Sequence, residues 1–241
     1  MGGGEPVPLW AGSAARELGL SGVADREHVE RLCSGFHHET GERLVRNAGK
    51  EDRNPGHDCT FSCPKTVSIA WALGDDETRK GIEKAQLSAV RQALGFLEEK
   101  AGFARVGAQG RELVRAPLLA VLFEHGTSRA EDPQLHTHAV VVNLTVHPDG
   151  RTTALDSTYL YHFKMAAGAV YRAALAHNLQ RLGFSVERRT LGSSIGFELA
   201  DVPKSVVEEF SKRRAEIEET LKLRAGSLDA ASPRYAELVA K

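Results

Sequence analysis

The strongest chemical signal in the chain is a set of three histidines, His125-GTSRAEDPQL-His136-Thr137-His138. In an extended strand residues i and i+2 face the same way, so His136 and His138 present two imidazoles side by side. His125 follows the apolar run 117–124 (PLLAVLFE), and the intervening Asp132-Pro133 suits a loop returning the chain to an antiparallel neighbour. Three neutral imidazoles would then converge on one divalent cation acting as a Lewis acid. Three protein ligands leave coordination positions open, which marks a catalytic rather than a structural site. Such a donor set accepts Zn²⁺, Mn²⁺, Ni²⁺ or, less tightly, Mg²⁺. A lone strand histidine is ordinarily a core or surface residue; the His-x-His pair with a third at hairpin distance is the departure. Cys59-x-x-x-Cys63 is a weaker signal, because two thiols with no partner pair do not make a zinc site. Together with Cys33 they form no disulfide framework and fit a reducing cytosol.

The elements that must carry these residues follow from periodicity. Residues 117–124 and 138–146 (HAVVVNLTV) read as strands apolar enough for a covered sheet, and HDCTFSC at 57–63 alternates like a strand until Pro64 interrupts it. Ile82, Ala85, Ala89, Ala93, Leu94 and Leu97 recur at helical spacing, giving a helix from Asp76 to about Ala101. A second long helix covers 158–182 and ends at Gly183, and short helices cover 13–20 and 25–34, the latter capped by Asp25. His147-Pro148-Asp149-Gly150 is a turn, FSVERR and SIGFELA form a strand pair through Gly192, and Pro203 opens a last helix at its first position. Residues 1–12 are expected to be flexible and 203–241 to form a helical C-terminal lobe. Mixed runs of strands and helices imply an α+β fold, a two-layer sandwich with a central antiparallel sheet flanked by helices, in one domain over 1–241.

Composition narrows the setting. Apolar residues at 41% and charged residues at 26% exclude wholesale disorder, and a net charge of −1 means that any grip on nucleic acid must come from local clusters of Lys and Arg. No apolar run approaches the ~18 residues needed to cross a bilayer, and MGGGEPVPLW has no signal-peptide character, so a cytoplasmic protein is expected.

Larger blocks give these pieces a context. Trp10-Ala-Gly with LGLSG at 18–22, DCTFSCPKTVSIAWAL at 58–73, FEHGTSRAEDPQLHTHAVVVN at 123–143, AAGAVYRAALAHNLQRLGF at 166–184 and FSKRRAEIEETL at 210–221 occur in this order. The sequence thereby resembles the MobF, or TrwC/TraI-type, conjugative relaxases of the HUH endonuclease superfamily. The resemblance implies a metal-dependent enzyme that binds single-stranded origin-of-transfer DNA next to a hairpin. Such enzymes cut one phosphodiester by tyrosine attack, leaving a 5′-phosphotyrosine and a free 3′-hydroxyl, and later rejoin the ends. The stored phosphotyrosine bond makes a nucleotide cofactor unnecessary, and no Gly-x-x-x-x-Gly-Lys-Ser/Thr loop occurs. Other conjugation proteins are implied as partners, and a monomer is favoured. Asp58 falls where the family carries a strand aspartate that orients a ligand histidine and takes the tyrosine's proton; the plainer reading is a strand-end cap. Lys65, Arg129, Lys212, Arg213 and Arg214 are the candidates to meet phosphates, against the ordinary reading of solvated surface charges. Thr60 and Ser62 alternate with Phe61 and read as facing the polar side of the sheet.

One departure stands out. The family's nucleophilic tyrosines lie near the N-terminus, after a first strand and in the helix behind it, and the match here starts at about Trp10. Tyr159, Tyr161, Tyr171 and Tyr235 all lie in the second half, where packing is the default role, and no nucleophile is assigned. Either the chain is truncated, or the domain uses metal-bound water or only binds DNA. A missing strand would leave ladder groups of its neighbour unpaired. Three functions therefore stand open: a nickase and strand transferase, a degenerate relaxase that holds metal and single-stranded DNA without cutting, and an unrelated metallohydrolase.

Overall fold

A computed structural model describes residues 7–128, 131–191 and 194–211. The alternating apolar residues of four segments assemble one antiparallel sheet. β1 (Leu9–Ala11) is followed by two short helices, α1 (Ser13–Glu17) and α2 (Arg26–Cys33), and then by β2 (Gly56–Ser62). α3 (Lys65–Leu73) and α4 (Asp76–Ala101) precede a small ribbon of β3 (Phe103–Val106) and β4 (Glu112–Arg115). β5 (Ala120–Thr127) and β6 (Pro133–Val142) form the central hairpin, and β7 (Thr145–Val146) and β8 (Thr152–Thr153) a second ribbon. α5 (Thr158–Arg181), the pair β9 (Val186–Leu191) and β10 (Ser194–Leu199), and α6 (Lys204–Glu209) complete the described fold. The main sheet runs β1-β5-β6-β2.

Each face of that sheet has its own core. Phe61, Ala120, Leu122, Leu135, Ala139 and Val141 point toward α3, α4 and α5 and pack on Val67, Ile82, Val90, Leu97, Leu175 and Leu179. On the other face Trp10, Val121 and Val142 pack with Ala14, Leu20 and Leu32 from the first two helices and with Leu144. These helices cover only part of that face. The rows nearer the β5–β6 turn stay uncovered, and the histidines lie there. The α+β sandwich read from the sequence is the fold observed.

Boundaries differ where the chain is captured by distant groups. Residues 9–11, expected to be flexible, form an edge strand because Trp10 is buried and donates its amide to Gly22 O at 3.0 Å. The single strand expected over 138–146 is two: β6 begins at Pro133 and stops at Val142. There Asn143 is taken out of the sheet by bonds to Pro55 O, to Asn54 O and from the Leu155 amide. Pro203 stands just before α6 rather than at its first position, and α6 ends at Glu209. The lobe proposed beyond Ser211, with Lys212, Arg213 and Arg214, lies outside the described residues, as does Gly192. Asp25 caps α2 as read, accepting from the amides of Glu27 and His28.

β2 is an edge strand: among the described residues no strand pairs with its outer side. That side opens onto a cleft of about 660 Å³ walled by α5 residues including Tyr161, Lys164 and Arg172.

The loop after α2 holds a buried imidazole. His38 is 4% exposed, its ring centroid is 4.5 Å from His37 and 4.9 Å from His28, and its Nδ1 is buried without a hydrogen-bond partner. Burial, then the neighbouring His37 and His28, push its pKa below 6.5, with Glu39 pulling weakly the other way. A depressed folded-state value means that stability is complete above 6.5 and is lost as pH falls through the folded value. The His38 contribution to Tm should fade as pH falls below about 6.5, the ordinary histidine value, while Glu124, which burial raises to about 7, titrates in the same range with the opposite sign. His38→Leu should flatten the drop, and an unchanged slope in that variant would refute the assignment.

Candidate metal centre

Register brings the chemistry together. β5 and β6 place His125 opposite His136 and Phe123 opposite His138, while β2 places Thr60 opposite His138 and Ser62 opposite His136. Directly opposed residues of antiparallel strands share a face. His125, His136, His138, Thr60 and Ser62 therefore form two adjacent rows on the uncovered face, and Asp58, two residues before Thr60, joins them. Phe61, Cys59 and His57 turn to the helical side.

The three imidazole centroids are 5.3 Å (His125–His136), 5.3 Å (His125–His138) and 5.0 Å (His136–His138) apart. Rings bound through nitrogen at about 2.1 Å have centroids about 3.3 Å from the cation, so two rings at right or tetrahedral angles lie roughly 4.6–5.4 Å apart. The observed spacing fits that range. No group of three or more His, Cys, Asp or Glu among the described residues yet meets the full geometry of a metal site. Burial first, then the two neighbouring imidazoles, hold His125 below its ordinary pKa and thus neutral, the form that ligates.

Hydrogen bonds orient two of the rings. His138 Nδ1 lies 2.7 Å from Asp58 Oδ2 and 3.3 Å from Thr60 Oγ1, and His136 Nδ1 lies 2.7 Å from the carbonyl oxygen of Gln134. Donation from Nδ1 to an oxygen leaves Nε2 unprotonated and free for a cation. Asp58 accordingly touches a candidate ligand, more than a strand-end cap would do. Thr60 and Gln134 were not singled out in the sequence; the alternation that puts Thr60 on the polar face was its only signal.

The other candidates sit apart. The Lys65 ammonium donates to the Pro133 carbonyl at 2.8 Å and is half-buried, so it ties α3 to the base of the hairpin. Burial lowers its pKa, partly offset by Asp132. Arg129 lies outside the described residues. Tyr171 is buried and donates to Gln86 Oε1 at 2.6 Å, with a pKa raised by burial and by Cys63. Tyr159 packs on Phe103 at 4.7 Å. Exposed Tyr161 contacts His57 edge-on at 6.1 Å, which puts it on the helical side of β2, across the strand from the imidazoles. Tyr235 lies outside the described residues. Cys59 and Cys63 are free thiols, and burial first raises their pKa to about 11 and about 12.

A model of the TrwC relaxase family matches residues 2–240. The chain belongs to the TrwC relaxase family. It is 34% identical over 224 residues to the multifunctional conjugation protein TraI of Escherichia coli strain K12, covering 88% of this chain but only 12% of TraI. Among solved structures it resembles the conjugative relaxase TrwC in complex with mutant OriT DNA, with a TM-score of 0.84 and 36% identity. That match covers 97% of this chain and 82% of the other. A metal-bound structure of TrwC with OriT DNA gives a TM-score of 0.82 at the same identity, covering 97% and 80%. The relaxase fold and family read from the histidine block are thereby shown. No described helix is long and apolar enough to cross a membrane.

Proposed function

We infer that this relaxase domain binds one divalent cation through His125, His136 and His138 and nicks and rejoins single-stranded DNA at an origin of transfer. The observation carrying this reading is the set of three opposed imidazoles, two of them oriented through Nδ1, on the uncovered face of a sheet matched along 97% of the chain to TrwC bound to OriT DNA. When bound, the cation withdraws charge from the scissile phosphate. Asp58 holds the His138 ring in its ligating tautomer and stands where it can accept the proton of an attacking hydroxyl. In-line attack forms a new P–O bond as the bond to the 3′ oxygen breaks, and that oxygen takes a proton from solvent to leave as a hydroxyl. Lys65 retains two N–H donors beyond its Pro133 bond, and with Arg129, Lys212, Arg213 and Arg214 it is assigned to the DNA backbone. A strand next to a hairpin is the form of DNA proposed, and the cytosol the place.

A second reading rests on a specific observation: none of the three described tyrosines shares the imidazole face. The domain would then hold cation and single-stranded DNA without cutting. Incubating the protein with a labelled oligonucleotide carrying a hairpin and its 3′ flank, under Mg²⁺ or Mn²⁺, separates the two. A covalent adduct or a cleaved strand with a free 3′-hydroxyl establishes the enzyme. Salt-sensitive binding without product selects the second reading, and no binding removes both.

A further inference from the structure

Two of the three imidazoles are oriented by hydrogen bonds, whereas the His125 ring makes none among the described residues. Something else must fix it. His125 is followed by Gly126, where β5 slips register against β6 between His125 and Thr127. Gly126 is absent from the glycines with positive φ, so its backbone would accept any L-residue. Space is what forbids a side chain: a Cβ at this position would lie 2.3 Å from Trp71 Cη2, 2.9 Å from Cζ3 and 3.2 Å from Cζ2. The outer ring of the indole thus lies against the backbone of the residue next to the ligand.

The indole is itself held. Its Nε1–H donates to Glu83 Oε1 on α4 at 2.9 Å. The helix that carries it is tied to the other arm of the same hairpin: Lys65 donates to Pro133 O, and the Leu135 amide donates to Ser68 Oγ at 3.0 Å. Just before α3, Gln134 Nε2 donates to Cys63 O at 3.3 Å. The β6 side of the hairpin is therefore gripped by polar bonds and the β5 side by contact of indole on glycine. We propose that Trp71 and Gly126 are a positioning pair that sets the orientation of His125 for cation binding. The inference rests on the metal-site reading, to which it adds the means of holding the third ligand.

The pair makes a reciprocal demand: a side chain at 126 is tolerated only if the indole is trimmed. Four full-length proteins test it, the wild type, Gly126→Ala, Trp71→Phe and the double variant, by Mn²⁺ titration calorimetry. Gly126→Ala should weaken Mn²⁺ binding by about 10–100-fold, the range for losing support behind a ligand. Phenylalanine lacks the outer ring that meets position 126, so the double variant should bind within about threefold of Trp71→Phe alone, a difference below 1 kcal/mol. Equal affinity of Gly126→Ala and wild type, or a double variant more than about tenfold weaker than Trp71→Phe alone, overturns the proposal. Where Gly126→Ala does not fold, the double variant should, and its failure to fold overturns the proposal as well. A wild type that binds no Mn²⁺ strikes the metal reading instead. The pair is then judged on the His125 imidazole NMR signals of the metal-free protein, which should move in Gly126→Ala and return in the double variant; signals that stay in place refute it.

Discussion

His136→Ala is expected to weaken Mn²⁺ binding by more than about 100-fold, beyond the roughly 10–100-fold that follows loss of a group behind a ligand. One of three donors disappears, and the remaining imidazoles cannot close a site that already leaves positions open for substrate. Cleavage of the hairpin oligonucleotide should fall with it, by about 10²–10³ or more, the scale at which one preorganised charge-stabilising group acts. The fold should survive, because His136 is half-buried on an uncovered face and its ladder bonds are made by backbone. The measurement pairs calorimetry with thermal unfolding. Wild-type affinity in His136→Ala, with an unchanged Tm, would place the cation elsewhere. Chelator treatment of the wild type should reproduce the loss of cleavage and leave Tm of the metal-free protein as the baseline.

Asp58→Ala carries the second large effect. The carboxylate accepts from His138 at 2.7 Å, and removing it frees the ring to turn and to exchange tautomers. Mn²⁺ affinity should drop by about 10–100-fold. Asp58→Asn keeps an acceptor oxygen for the same N–H and should lose less affinity, while any role in taking a proton vanishes with the charge. Cleavage in Asp58→Asn should therefore fall further than binding does. Two variants with wild-type affinity would return Asp58 to a strand-end role. Thr60→Val, which removes the 3.3 Å contact to His138 and the 3.4 Å donation to Asp58, should cost about 1 kcal/mol or less, near fivefold.

Much of this was legible in the residues. The His-x-His spacing fixed which side chains share a face, because strand alternation is a local property. α4 was bounded at Asp76 and Ala101 by its apolar spacing, and α5 was read one residue long at its end. What was not legible depends on partners far along the chain. The start of β6 at Pro133 was read five residues late, since proline and charge look like loop. The long reach of Asn143 cut one expected strand into two pieces. The bond from the Lys65 ammonium to the Pro133 carbonyl, 68 residues away, was likewise beyond local pattern. Trp71 and Gly126 gave no sign of each other in sequence, because neither residue type announces a neighbour. The histidines at 28, 37 and 38 are also far from any motif, and only folding stacks them.

The unequal flanking of the central strands has a consequence for how the protein breathes. β6 is paired on both sides along the segment that bears His136 and His138, whereas among the described residues β1 pairs only with Ala120 to Leu122 of β5, and His125 has a strand neighbour on one side. Deuterium should enter the amides around His125 well before those of residues 136–141. Local opening would then begin at the β5 arm, and a captured ion would be let go from that side first.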